Sequence, residues 1–239
     1  MLGSIKLWEL DCYLDGDLRR MTDAPKPEAT TVMLRVMELS DVPLVAELHR
    51  RCLHQGFFVD LGERFLGHYY RTFVTSPAAV TLVAEREGVF AGFLVGTVDE
   101  RVHRRHVARL DRGRLARAGA LSLTLRPRLT AKFVRTRARR YAQGLDRARQ
   151  SGTESRPSKT TGVLHHMAVN DTARRSGVGR MLVDGYATLA RTQGTSRLTL
   201  EAREDNPGAQ RFYEDLGWTP RDKHAGVDGG EWLTYGLDL

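Results

Sequence analysis

The chain has 239 residues, 41% of them hydrophobic, and a net charge of +8. That length and composition suit a globular chain with one large core or two small ones, and no apolar run is long enough to cross a membrane. Met1 to Arg20 is mixed and charged, unlike a secretory signal. Cys12 and Cys52 stand alone without metal-ligand spacing, so free thiols, no metal site and a cytoplasmic location are expected.

Residues 1–31 form an N-terminal extension that closes in a linker marked by Pro25 and Pro27. A first strand is predicted over Val32–Val36. Ser40 and Asp41 then open a helix with Pro43 in its first turn. A second helix runs from about Gly62 to Val74, with Phe65, Tyr69, Tyr70 and Phe73 along one side as core packing. Strands at Val80–Glu85 and Phe90–Val98 flank Glu87-Gly88, which makes them an antiparallel hairpin.

A basic segment interrupts this pattern. Residues 101–150 hold fifteen arginines and one lysine against Asp111 and Asp146, a net +14, which leaves −6 for the rest of the chain. Strand character returns at Val163–Val169, followed by a helix over Gly179–Arg191 and a strand over Arg197–Ala202. The next helix carries Asn206 as N-cap, Pro207 at the first helical position and Gly217 past its end. Two last strands, Thr219–Lys223 and Glu231–Leu237, surround a Gly-rich turn. The fold class is α/β, with a mixed sheet and helices on both faces.

Chemistry concentrates in the run from Met167 to Arg180. A strand ends, a loop carries Arg174 and Arg175, and Gly177 and Gly179 open a helix. Glycines let backbone approach a ligand, and the N–H groups at a helix start are unpaired and face a favourable dipole. The combination suits a pyrophosphate. It is neither a dinucleotide fingerprint, because Leu182 stands where a third glycine is needed, nor a Walker loop.

Arg174-x-x-Gly177-x-Gly179 resembles the pyrophosphate loop of the GNAT acyltransferase superfamily. Asn206-Pro207-x-Ala209-x-x-Phe212-Tyr213-x-x-x-Gly217-Trp218 resembles that family's next signature. The resemblance is strong over 161–239 and weak, by element order, over 32–100. It implies a single domain over 32–239 with a mostly antiparallel sheet, interrupted by a basic helical insertion at about 101–160. It also implies transfer of an acetyl or other acyl group from acetyl-CoA to an amine by direct attack. The cosubstrate contacts it implies are Met167, Val169, Arg174, Arg175, Gly177, Val178, Gly179, Arg180 and Asn206.

The same resemblance makes Tyr213 the proton donor to the departing sulfur. For the base it leaves His165 and Glu201 as candidates. His165 and His166 adjoin on one strand, so they are expected on opposite faces, with His165 beside Met167 and Val169. Gln55–Asp60 and Lys223–Glu231 are implied to line the acceptor pocket. The acceptor is expected to be a small-molecule amine.

Leu129, Phe133, Tyr141 and Leu145 recur in the basic segment at about helical spacing. The segment suits a solvated helical surface, a wall for an anionic acceptor, or a peripheral contact with an anionic membrane. Nucleic acid is disfavoured, because one aromatic pair is thin for base stacking. The competing non-enzyme reading is a catalytically degenerate GNAT fold that binds through this segment. The intact loop and Tyr213 argue against it.

Overall fold

The computed structural model describes residues 31–53, 57–124, 161–226 and 230–239. The expected extension up to residue 30 lies outside the described residues. So do the part of the basic segment that holds Leu129, Phe133, Tyr141 and Leu145, and the tip of the final Gly-rich turn.

Seven strands form one sheet in the order β1-β2-β3-β4-β5-β7-β6. They are β1 (Val32–Val36), β2 (Ala79–Arg86), β3 (Val89–Thr97), β4 (Thr161–Val169), β5 (Arg197–Arg203), β6 (Thr219–Ala225) and β7 (Glu231–Asp238). Every neighbouring pair is antiparallel except β4 with β5, so the sheet is mixed and mostly antiparallel, as expected. The β2–β3 hairpin turns on Glu87 and Gly88, both with positive φ, 54° and 74°. That backbone twist matches the twist of the flanking strands.

Helices cover both faces. On one, α1 (Val42–Cys52) and α2 (Glu63–Val74) bury Val45, Leu48, Leu66, Tyr70 and Phe73 against Val83, Phe93, Val95 and Ala168 of the sheet. On the other, α5 (Val178–Thr192) buries Leu182, Val183 and Tyr186 against Leu82, Leu94, Leu164, Leu198 and Leu200. Each fully buried aliphatic side chain contributes about 1.5–3 kcal/mol. The last helix, α6 (Pro207–Glu214), starts as expected: the Asn206 side chain accepts from the Ala209 N–H. Gly217 has φ of 84° beyond its end, and Tyr213, Trp218 and Tyr235 join the α5-side core.

Two glycines bring α5 close to the sheet. A Cβ on Gly96 would stand 2.6 Å from the Tyr186 ring, and one on Gly162 would stand 2.6 Å from the Thr97 carbonyl. The space left by both lets the buried Tyr186 hydroxyl donate to the Thr97 carbonyl at 2.8 Å.

The start of the basic segment is helical. Asp99 caps α3 (Glu100–His106) by accepting from the Arg101 and Val102 N–H groups. A π-helical stretch over Val107–Asp111 leads into α4 (Arg112–Thr124). Leu115 and Ala118 of α4 pack on Leu61, just before α2, and on Phe65 within it, which ties this layer to the domain.

One expectation fails here. His165 and His166 do not face opposite sides. Val95 pairs with His166 and Gly96 with Leu164, so His165 is the extra residue of a β-bulge. A bulge breaks the two-residue alternation that the expectation assumed. Leu164, Met167 and Val169 pack on the α5 side. The two histidine rings both turn towards α1, α2 and α3, with centroids 6.5 Å apart.

Candidate active site

The two halves of the sheet meet at β4 and β5, and they part along the way. Parallel pairing joins Thr161–Leu164 to Arg197–Leu200 and goes no further. Beyond it β4 stays paired with β3 up to Val169, and β5 stays paired with β7 up to Arg203. The strands therefore open like a V, and the β4 edge from His165 to Val169 has no β5 partner. Met167 and Val169, expected to offer backbone groups to an extended ligand, stand on this open edge. His165 and Glu201 are the first residues past the last pair on either arm.

The β4 arm runs into the arginine loop. Asn170 anchors its start: the side-chain amide donates to the Phe90 carbonyl at 2.9 Å, and the side-chain oxygen accepts from Arg51 at 3.0 Å. A 3₁₀ turn, Asp171–Ala173, follows. Arg175 and Gly177 then take left-handed conformations, φ 61° and 86°. For arginine this costs about 1–3 kcal/mol, a kind of strain that clusters at ligand clamps. Gly177 is the N-cap of α5 and no side chain caps that helix, so its first N–H groups stay available. A Cβ on Gly177 would meet nothing within 4 Å, so the cradle has open space in front of it. At Gly179 a Cβ would stand 3.2 Å from the Phe212 ring, which is how α6 packs beside the start of α5.

The three arginines are not equivalent. Arg174 pairs with Asp171 at 2.9 Å. Arg175 and Arg180 are exposed and make no ion pair among the described residues. Uncapped N–H groups, a left-handed glycine and two uncommitted guanidinium groups fit a pyrophosphate. Asn206 differs from the expectation for it: its side-chain oxygen is occupied as the α6 cap, 3.1 Å from the Ala209 N–H.

On the α3 side of the opening, His165 Nε2 lies 2.9 Å from Glu100 Oε2. Glu100 also accepts from Thr97 Oγ1 at 3.0 Å and from Arg104 Nε at 2.8 Å. Burial pushes the Glu100 carboxyl up, but the hydrogen bonds from His165, Arg104 and Thr97 outweigh it and hold it at about 2. His166 sits deeper. Its Nε2 meets the Tyr69 hydroxyl at 2.9 Å, and its ring lies 4.9 Å from that of His49, which itself bonds to the Tyr70 hydroxyl. Burial, then the neighbouring histidines His49 and His165, hold His166 neutral. His166 is thus a packed polar residue, whereas His165 borders the opening.

Glu201 is more exposed, with 59% of its side chain accessible and His224 Nε2 at 3.5 Å. Tyr213 is buried, in ring contact with Phe212 and Trp218, and its hydroxyl makes no hydrogen bond to a described residue. Burial pushes its pKa up, so it stays protonated through the neutral range. Of the implied acceptor-pocket segments, residues 54–56 and 227–229 lie outside the described residues. A groove of about 340 Å³ lined by Arg64, His68, Arg71 and Arg114 shares no residue with the opening.

Glu100, Thr97, His103, Tyr69 and His49 did not stand out in the sequence as members of this cluster. The one usable signal was Asp99-Glu100, an acidic pair opening a basic run.

Comparison with known proteins agrees with the geometry. The acetyltransferase (GNAT) family model matches residues 139–218. A mycothiol acetyltransferase from Beutenbergia cavernae is 33% identical over 69 residues, covering 29% of this chain and 23% of that relative. The chain therefore spans less than a quarter of that relative's length in the match. An N-acetyltransferase from Staphylococcus aureus Mu50 superimposes with a TM-score of 0.55 at 11% identity, over 87% of this chain and 99% of the other. YncA from Salmonella typhimurium, solved with its cofactor acetyl-CoA, gives 0.54 at 13% identity, over 87% and 94%. The fold is that of the acetyltransferases. Over residues 139–218 the chain is similar to the GNAT acetyltransferases, and its fold resembles theirs.

The buried histidines make stability depend on pH. Burial lowers His49 and His103 to about 4 each. Their folded values lie below the unfolded value near 6.5, so this stability is present above about pH 6.5 and is lost as pH falls towards 4. Each group costs about 2 kcal/mol of stability between pH 7 and pH 5. Urea midpoints at these two pH values are expected to differ accordingly, and equal midpoints would contradict the buried neutral assignment.

Proposed function

We propose that this protein is an acetyl-CoA-dependent N-acyltransferase acting on a small-molecule amine by direct attack. The observation that carries this is the V between β4 and β5. It leads from His165 and Glu201 along an unpaired strand edge to the uncapped start of α5. When bound, acetyl-CoA supplies an activated acyl carbon and a thiolate leaving group. Met167 and Val169 offer backbone groups to its extended arm. Arg175, Arg180 and the N–H groups at Val178–Arg180 hold the pyrophosphate, with Arg174 bracing the loop through Asp171. His165 takes the proton from the acceptor ammonium, and the Tyr213 hydroxyl donates a proton to the departing sulfur. Glu201, on the opposite arm, is the alternative base.

The exposed Arg101, Arg105 and Arg109 make no ion pair among the described residues, which favours an anionic acceptor. In this reading the protein works in the cytoplasm. No helix among the described residues is long and apolar enough to cross a membrane.

The test is a panel of amines, anionic and neutral, scored by free thiol release from acetyl-CoA, alongside calorimetric titration with CoA. Binding with amine-dependent thiol release supports the enzyme. Binding with no release across the panel points to a degenerate binding module. No binding to the folded protein removes the acyltransferase reading.

A further inference from the structure

The pair formed by Glu100 and His165 spans the basic segment, one residue at its root and the other on the strand that follows it. Their Nε2 and Oε2 atoms are 2.9 Å apart, and each side chain is only 21% exposed. Glu100 is itself held in place. Its Oε1 accepts from Arg104, one helical turn on, and its Oε2 also accepts from Thr97 at the end of β3. Asp99 fixes the helix start on which Glu100 sits. A carboxylate that already accepts from two donors has no proton to give, so the imidazole must be the donor in the third bond.

A neutral imidazole has one N–H. If Nε2 carries it, Nδ1 carries the lone pair. His165 Nδ1 makes no hydrogen bond to a described residue, and His165 stands where the V begins, its ring in edge contact with Phe73 at 5.1 Å. We infer that Glu100 is a positioning residue for His165, fixing the imidazole in the Nε2–H tautomer and so making Nδ1 the atom that takes the acceptor's proton. This rests on His165 being the base. It also gives the first turn of the basic segment a defined role: it completes the site. The proton moves from the acceptor nitrogen to Nδ1, and the imidazolium that forms keeps its Nε2–H bond to the Glu100 carboxylate.

The charged and titratable groups around His165 are few. From α3 come Glu100, His103 at 6.3 Å between ring centroids, Arg104 and, further along, His106. From β4 comes His166, whose Nε2 bonds to Tyr69 of α2. From α5 comes Tyr186, whose hydroxyl donates to the Thr97 carbonyl and is held protonated by burial and by the Glu100 charge. Among the described residues Glu100 alone of these bonds to His165.

Histidine ring nitrogen NMR on the full chain, without ligand, reads the tautomer directly. Wild-type His165 is expected in the Nε2–H form at neutral pH, and the Nδ1–H form there would overturn the inference with no variant needed. Glu100→Gln keeps the shape but removes the charge and adds an N–H donor. It is expected to mix the tautomers, lower kcat by roughly 10²-fold and move the acid limb of the pH–rate profile downward, with KM for acetyl-CoA within about twofold. Glu100→Gln with a wild-type tautomer and kcat would overturn the positioning role. A changed tautomer with wild-type kcat and pH profile would instead overturn His165 as the base. In that case turnover in His165→Ala would also match wild type. If Glu100→Gln does not fold, the wild-type spectrum and Arg104→Gln, which releases the carboxylate from one side, serve the same purpose. Arg104→Gln is expected to give a partial shift of the tautomer.

Discussion

Gly177→Asp is expected to abolish CoA binding while leaving the fold in place. Gly177 has φ of 86°, so any side chain there meets the left-handed penalty of about 1–2 kcal/mol, and aspartate tolerates that region better than most residues. A Cβ meets no atom within 4 Å, so no packing is broken. What changes is charge. A carboxylate placed at the N-cap of α5 follows Arg175 by two residues, precedes Arg180 by three, and can itself accept from the first-turn N–H groups, as aspartate caps commonly do. It both fills and neutralises the cradle. CoA at about one hundred times its dissociation constant is expected to stabilise the wild type by about 2.7 kcal/mol, and that increment is expected to vanish in the variant. Gly177→Ala isolates the backbone contribution and is expected to retain a measurable part of the binding. Thermal shift with and without CoA reads all three proteins. Wild-type CoA affinity in Gly177→Asp would mean that the pyrophosphate is held elsewhere.

Tyr213→Phe is expected to reduce turnover by about 10²–10⁴-fold, the usual cost of a lost proton donor, with CoA affinity nearly unchanged. The structure makes this substitution unusually clean. The ring packs between Phe212 and Trp218, and phenylalanine keeps both contacts. The hydroxyl bonds to no described residue, so its removal orphans no partner. Burial holds the phenol protonated, which is the form a donor needs. Stability is therefore expected to stay within about 1 kcal/mol of wild type. A variant that matches wild-type turnover would reduce Tyr213 to a core residue, whereas a large loss of stability would indicate a bond that the free protein forms and the packing does not reveal.

The parts of the site that were legible in the sequence are the local ones. Gly177 before an apolar-periodic run, Asn206-Pro207 before another, and Glu87-Gly88 between two strands each specify backbone geometry within a few residues. All three appear as expected. The succession of strands along the chain followed from the same signals. What stayed hidden depends on registers and distances that no short window contains. The phase of His165 and His166 was misread because alternation assumes a regular strand, and the bulge opposite Val95 and Gly96 breaks it. The Glu100–His165 bond links residues 65 positions apart across a segment whose composition suggests only charge. Asn206 was legible as a cap, and that capping role is what occupies its side chain.

The four residue pairs from Thr161–Arg197 to Leu164–Leu200 are the whole backbone ladder between the two halves of the sheet. In mechanical language they are its thinnest cross-section. A force that separates β3 from β7 concentrates on that ladder, at the crotch where the arms diverge, and the Leu164–Leu200 pair takes it first. An extended molecule bonded along the β4 arm acts there as a splint, lengthening the joint without moving either arm. Occupancy would then change the stiffness of the sheet more than its shape. The amide protons from His165 to Val169 that face the gap are the place where that stiffening would register in hydrogen exchange.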